Sequence, residues 1–147
     1  MFRKILVPTD GSVLSQNCVQ HTVKFAAETA AQIVFIYARP LASLPYLGLG
    51  AISDPHLLQV ENERLDSAAE AFLAEAKACA DEAGVSCECV KASGDQPWQL
   101  IVQTAEVQGC DAIFMASHGR SGISGLLLGS ETQKVLTHSS LPVLVYR

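Results

Sequence analysis

The chain lacks the features that mark several common classes of protein. Its 147 residues contain no apolar run near the ~20 residues that a membrane-spanning helix needs. It has no basic run, and its net charge of −5 opposes general binding to nucleic acid, which depends on a positive surface. The first residues also lack the apolar stretch and cleavage site of a secretory signal. We therefore expect a cytoplasmic protein with no nucleic-acid or membrane partner.

Metal sites and disulfide frameworks lack their sequence signatures too. The five cysteines are an odd number, and no C-x-x-C pair occurs. Cys87 and Cys89 fall on one face of an expected strand, which favours buried, reduced thiols over a metal site or a disulfide. The four histidines lie far apart and form no pair with ligand spacing. The sequence predicts no metal site formed by the protein alone.

What the sequence does contain is a regular alternation of strand and helix patterns. Apolar residues make up 49% of the chain and charged residues 17%, which suits a single domain over residues 1–147. Apolar runs or alternation predict five strands, at 5–7, 33–38, 85–91, 112–116 and 142–146. Helical spacing and end signals predict four helices, at about 13–31, 54–83, 97–108 and 130–138. A loop of about fifteen residues follows the second strand.

This order of elements predicts an α/β fold. Strands separated by helices pair in parallel through right-handed crossovers, giving a doubly wound open sheet with helices on both faces. The third strand alternates and belongs at an edge, so we expect the order 3-2-1-4-5. The chain reverses direction between strands 1 and 4, and ligands bind at such a switch point. The segments expected there are Pro8 to Ser12 and Ala116 to Ser130.

The segment from Met115 to Ser130 carries the strongest chemical signal. Four glycines fall within eleven residues, and glycine allows positive φ and close approach of the backbone to a ligand. The next helix begins Ser130-Glu131-Thr132-Gln133, which fits a capping box, and its amide groups could bind an anion. Arg120, the loop's only basic side chain, could add a charged contact. The residues leave two alternatives open: a phosphate-binding loop, or a flexible lid with an ordinary helix cap.

Other nucleotide motifs are absent from this loop. It contains neither the G-K-[ST] of a Walker loop nor G-x-G-x-x-G, so the GTPase and kinase interpretations lose their main support. The two switch-point segments also lack a pair of aromatic residues that could hold a flavin. Flavodoxin-like electron transfer is therefore disfavoured.

Three stretches together resemble the universal stress protein family. Ala116-x-x-Gly119, followed after nine residues by Gly129-Ser130, is similar to that family's G-x-x-G-x9-G-[ST] phosphate loop, with alanine at the first glycine. Residues 5–12 resemble its first strand and aspartate turn, and residues 141–147 resemble its last strand. Because Ala116 continues an apolar strand, we expect it to end that strand in β geometry, where alanine costs little.

The resemblance implies a stress-response regulatory module that binds ATP, or ADP or AMP, with or without Mg²⁺. Asp10 would contact the ribose or nucleotide-bound Mg²⁺, although it could instead serve only to turn the chain. The backbone of Ala38 would read the adenine edge, and Gly119, Gly129 and Ser130 would hold phosphates. The full set of candidate nucleotide-binding residues is Pro8, Thr9, Asp10, Ala38, Met115, Ala116, Ser117, His118, Gly119, Arg120, Gly129, Ser130, Glu131 and Thr132.

Two other functions stay open alongside nucleotide binding. One is a nucleotide-free dimeric adaptor, and the other is a slow ATPase or phosphotransferase. The sequence gives the second little support, since His118 is the only histidine near the loop, and we assign no catalytic residue. The last strand, with Val143, Leu144 and Val145, is an apolar edge that invites pairing. We expect a homodimer in which this strand meets its symmetry mate antiparallel, as the resemblance also implies.

Overall fold

The computed structural model describes residues 1–39, 41, 55–119 and 128–147. Within these ranges every predicted element is present, with bounds that differ by no more than two residues. The elements are β1 (Lys4–Pro8), α1 (Val13–Thr29), β2 (Gln32–Arg39), α2 (Pro55–Glu82), β3 (Cys87–Ser93), α3 (Pro97–Val107), β4 (Ala112–Ala116), α4 (Ser130–His138) and β5 (Val143–Tyr146). The long loop expected after β2 lies outside the described residues except for Leu41, and so does Arg120.

The five strands form one parallel sheet with the order β3-β2-β1-β4-β5, which confirms the predicted topology. β1 is central and pairs with β2 on one side and with β4 on the other. The carboxyl ends of β1 and β4 therefore lie next to each other at the switch point.

The sheet separates two apolar layers because alternate residues of each strand face opposite sides. Ile5 and Val7 of β1 pack on the layer that holds α1 and α2, which includes Val23 and Leu73. Leu6 packs on the opposite layer, which holds α3 and α4. All five residues of β4 are buried, as expected for a strand covered on both faces.

Helix ends agree with the sequence signals in most places. Gly84 and Gly109 follow α2 and α3 with φ of +68° and +64°, and Pro97 opens α3. α1 differs, because no glycine follows it. Ala30 takes the left-handed conformation there with φ of 54°, and its N–H bonds to the Ala26 carbonyl. This unusual alanine explains why α1 ends two residues earlier than expected.

All five cysteines are free thiols. Cys18 and Cys110 are buried, and burial raises the pKa of each to about 11, so both stay protonated at neutral pH. The expectation of burial is wrong for Cys89, which is exposed on the edge strand β3, and Cys79 and Cys87 are only half-buried. The described part of the chain contains no group of three or more histidine, cysteine or acidic side chains placed to hold a metal ion. None of its helices is both long and apolar enough to cross a membrane.

Candidate functional site

The turn after β1, residues 9–12, is held by its own polar groups. The Thr9 N–H donates to the Ile36 carbonyl at 2.9 Å, and the buried Thr9 hydroxyl lies 3.2 Å from Ser15 Oγ. Asp10 Oδ1 accepts the Ser12 N–H at 3.0 Å, so the carboxylate does turn the chain. Ser12 Oγ in turn accepts the Ser15 N–H and caps α1. These bonds fix the path of the main chain at Asp10, just after the end of β1.

The two ends of the loop after β4 are tied together. The Ser117 carbonyl accepts the Gly129 N–H at 2.7 Å, and the Ser117 N–H donates to the Tyr146 carbonyl of β5 at the same distance. The buried Thr132 hydroxyl donates to the Ala116 carbonyl at 3.1 Å. His118 Nδ1 lies 3.1 Å from Ser117 Oγ. The start of α4 is thereby anchored to the end of β4.

Close approach of neighbouring atoms, rather than positive φ, explains two glycines of this loop. Neither Gly119 nor Gly129 is among the residues with positive φ. A Cβ built on Gly119 would collide with Asp10 Oδ2, so the two segments touch. A Cβ built on Gly129 would lie 3.2 Å from the Cα of His118 and 3.3 Å from the Ser117 carbonyl oxygen. The fold thus brings the β1 turn and the β4 loop into contact, as the sequence predicts.

The predicted capping box at the start of α4 is wrong. The helix begins at Ser130 itself, with Gly129 as the N-cap residue, and no side chain caps it. The Gly129 carbonyl accepts the Gln133 N–H at 3.0 Å, and the Gln133 side chain donates to the Leu128 carbonyl instead. A helix start without a side-chain cap keeps its partial positive charge available to an anion.

Two candidate side chains in the first turn of α4 are already engaged elsewhere. Glu131 Oε2 accepts the Trp98 N–H at the start of α3 at 2.8 Å, and its Oε1 pairs with Lys134 at 3.0 Å. The Thr132 hydroxyl is committed to Ala116. The groups that α4 offers to a ligand are therefore its backbone amides and the exposed Ser130 hydroxyl.

Within the described part of the chain, the end of β2 extends beyond its pairing with β1 at the same edge of the sheet. Ile36 is the last residue of β2 that pairs with β1, opposite Pro8. The Arg39 carbonyl points the other way and accepts the Gly94 N–H at 3.0 Å beside β3. Because neighbouring residues of a strand direct their main-chain groups to opposite sides, the N–H and C=O of Ala38 point past the end of β1. Ala38 thus offers one donor and one acceptor to the switch point.

A model of the universal stress protein family matches residues 1–147, the whole chain. The chain belongs to the universal stress protein family. Universal stress protein MJ0531 of Methanocaldococcus jannaschii is 32% identical to it, covering 100% of this chain and 83% of that protein. The solved structure of MJ0577 from the same organism has a TM-score of 0.83 at 27% identity, covering 99% of this chain and 96% of the other. A universal stress protein crystallised in complex with cAMP has a TM-score of 0.68 at 25% identity, covering 99% and 97%.

Alanine at the first glycine of the universal stress protein loop fits this structure. Ala116 ends β4 opposite Tyr146 of β5, and Met115 pairs with Val145. Ala116 lies in the strand, and its φ is not positive. The methyl group therefore causes no backbone strain at this position, in agreement with the expectation from the apolar strand.

A cavity of about 50 Å³ lies beside the β1 turn, between α1 and α2, and the candidate residue Thr9 is among its lining residues. Its walls include Gly11, Gln16 and Phe72. Ligand pockets in proteins usually measure hundreds of cubic ångströms, so this cavity is too small for a nucleotide. The candidate site is instead the carboxyl edge of the sheet, where the β1 turn and the β4 loop meet.

Sequence reasoning missed one residue beside this site. Arg39, directly after Ala38, is buried although it carries a charge. Its partners lie 23 to 54 positions away in the sequence, so no local motif marks it. A charged residue at the end of an apolar run is the one signal that could have drawn attention to it.

Proposed function

We propose that this chain is a cytoplasmic regulatory module of the stress response that binds an adenine nucleotide in the crevice between the β1 turn and the β4 loop. The observation that carries the proposal is the main chain of Ala38, which forms no backbone hydrogen bond toward β1 among the residues that the structure describes. Adenine presents an amino donor beside a ring-nitrogen acceptor, which complements one carbonyl and one N–H. Guanine presents an acceptor and a donor in the reverse order, so the same pair would oppose it.

The phosphates would lie against Gly119, Gly129 and the amino end of α4. Gly119 and Gly129 place no side chain of their own beside the phosphates, and the uncapped helix start favours negative charge. ATP, ADP and AMP all fit this description, and ATP is our choice as the first ligand to test. Asp10, whose Oδ2 lies against Gly119, would face the ribose or nucleotide-bound Mg²⁺ from the β1 turn.

The family member crystallised with cAMP supports this choice of base, since cAMP contains adenine. The residues of this chain fit such a ligand: an open donor and acceptor at β2, an acidic group at β1 and a glycine-lined helix start at α4. Among the described residues, we assign no lysine or arginine side chain to the phosphates of the nucleotide.

The test is to denature the purified protein and identify any released nucleotide by mass spectrometry, then to titrate the nucleotide-free protein with ATP in a calorimeter. We expect an adenine nucleotide in the extract and saturable binding of ATP. A folded protein that releases no nucleotide and gives no binding heat with ATP, ADP or AMP would contradict the proposal and leave the nucleotide-free adaptor.

We also propose that β5 forms a homodimer, on the strength of the contrast between the two edges of the sheet. The β3 edge carries charged residues that are paired, Glu88 with Lys4 and Lys91 with Glu70. β5 carries no charged residue, and the side chain of Leu144 is exposed. An open apolar edge of this kind favours antiparallel pairing with a second copy, which closes on itself.

Sedimentation analysis tests the dimer directly. We expect the wild-type protein at twice the 15.7 kDa mass of one chain, and Leu144→Lys at 15.7 kDa. Val107→Lys, which places a lysine at an exposed apolar position of α3, should leave the dimer unchanged. A wild-type protein that sediments as a monomer at micromolar concentration would refute the proposal.

A further inference from the structure

The last residue of β2 carries a buried guanidinium group with four hydrogen bonds. The side chain of Arg39 is only 10% exposed. Its Nη1 donates to the Asn62 carbonyl and to Asp66 Oδ1, each at 3.1 Å. Its Nη2 donates to Asn62 Oδ1 at 3.2 Å, and its Nε donates to Ser93 Oγ at 3.3 Å. One side chain therefore joins the ends of β2 and β3 to the first half of α2.

Stability alone is a poor explanation for this arrangement. Removing a guanidinium from water is costly, and an apolar side chain can often hold a helix against a sheet equally well. What a guanidinium adds is direction, because its planar set of donors bonds only to partners in fixed positions. Asp66 and Asn62 lie on α2 and Ser93 on β3, so the partners surround Arg39 from two elements.

The backbone of Arg39 is anchored as firmly as its side chain. Its carbonyl accepts the Gly94 N–H at 3.0 Å, on the side of β3. The Ala38 carbonyl and the Arg39 N–H belong to one planar peptide unit. Fixing residue 39 at both its side chain and its carbonyl therefore fixes the direction of the Ala38 carbonyl, which has no partner strand of its own.

We propose that Arg39 is a positioning residue that sets the base specificity of the nucleotide site. By holding the peptide unit between Ala38 and Arg39, it keeps the Ala38 carbonyl, the acceptor of the pair, in the direction that matches the amino group of adenine and opposes the carbonyl oxygen of guanine. This inference rests on the proposed function. Arg39 does not itself touch the base, because its side chain points to α2 and β3.

The experiment compares the dissociation constants of ATP and GTP for wild type and for Arg39→Met. We expect wild type to prefer ATP, and Arg39→Met to weaken ATP binding about tenfold while GTP binding stays the same, so that the preference collapses. A factor of ten corresponds to one or two hydrogen bonds to the base. Arg64→Met, which removes an exposed arginine of α2 paired with Glu61, is the matched control and should keep the preference.

Asn62→Ala provides a milder test in case Arg39→Met does not fold. It removes one bond from the guanidinium, and alanine is a good helix former. We expect a smaller loss of the ATP preference, in the same direction. Arg39→Lys should not restore the preference, because an ammonium group cannot reproduce the planar set of donors.

The outcomes separate this inference from the proposal it rests on. If wild type binds no adenine nucleotide, the proposed function fails and the inference with it. If wild type prefers ATP and both Arg39→Met and Asn62→Ala keep that preference, the inference alone is wrong. A parallel loss of ATP and GTP binding would also overturn it, since that pattern indicates general loosening of the fold.

Discussion

The β1 turn and the β4 loop lie side by side at the switch point, yet they need glycine for different reasons. Gly11 in the β1 turn has a φ of +76°, and a Cβ there would also collide with the ring of Phe72 from α2. Gly119 and Gly129 of the β4 loop have ordinary φ and are restricted only by space. The β1 turn needs glycine for its backbone conformation as well as for space, whereas the β4 loop needs it only because neighbouring atoms leave little room for a side chain.

The neighbours of each glycine explain this difference. Phe72 packs on the apolar layer of α1 and α2 and stacks on Tyr37 with ring centroids 6.0 Å apart, so the β1 turn rests on the core. Gly119 and Gly129 face Asp10 and the main chain of residues 117–118, all at the crevice. Substitution in the β1 turn should therefore reduce stability, whereas substitution in the β4 loop should reduce binding.

The largest effect is expected from Gly11→Ala. A left-handed φ costs an alanine about 1 kcal/mol, and forcing a methyl group into the Phe72 ring costs about 2 kcal/mol more. We expect the free energy of unfolding, measured by urea denaturation, to fall by about 3 kcal/mol.

Gly84→Ala is the matched control for the backbone cost. Gly84 has a φ of +68°, and a Cβ there would meet nothing within 4 Å. Its substitution should cost about 1 kcal/mol, so the difference between the two variants measures the contact with Phe72. Equal losses in both variants would show that the β1 turn does not depend on α2.

The second prediction concerns the β4 loop. Gly129→Val should abolish the rise in Tm that ATP causes, because the valine side chain occupies the space assigned to phosphate. The backbone of Gly129, with φ of −71° and ψ of 158°, suits valine, so the tight contacts with residues 117–118 should cost only about 1 kcal/mol. Thermal denaturation with and without ATP measures both effects.

Val23→Ala controls for loss of stability, since it opens a cavity in the core away from the crevice. This variant should have a lower Tm but keep the full rise with ATP. If Gly129→Val is protected by ATP as well as wild type, the phosphates do not bind where we place them.

The fold was predictable because its signals are local and repeated. Each buried strand is a short apolar run, and the weaker alternation around Cys87 and Cys89 marks β3 as an edge. Given right-handed crossovers, few sheet orders remain. The observed order confirms the one that these patterns favour, and the crevice follows from it because loops after neighbouring strands meet.

The details of the site were less predictable because long-range contacts override local patterns. The sequence from Ser130 to Gln133 satisfies a capping box with Ser130 as the N-cap residue, but the bonds from Gly129 and Thr132 to the end of β4 accompany an N-cap one residue earlier, at Gly129. The bond between Glu131 and Trp98 spans 33 positions and has no sequence signature. Positions of this kind require the tertiary structure.

The smallest effect is expected from Ser130→Ala, and it separates the two roles that a serine can have at a helix start. If Ser130 were the cap, its loss would cost about 1 kcal/mol. Since Gly129 is the N-cap residue and the Ser130 side chain makes no capping bond, we expect the free energy of unfolding to change by less than about 0.5 kcal/mol.

ATP binding should nevertheless weaken severalfold in Ser130→Ala, because the exposed hydroxyl is the polar side-chain group that this helix start offers to a phosphate. Thr137→Ala removes a hydroxyl near the other end of the same helix, where it bonds to the Gln133 carbonyl, and should leave ATP binding unchanged. Calorimetric titration of both variants with ATP, beside urea denaturation, gives the two quantities separately. If Ser130→Ala is destabilised but binds ATP normally, then Ser130 is a helix cap and does not bind the phosphate. The amides of α4 would then hold the phosphate without the Ser130 hydroxyl.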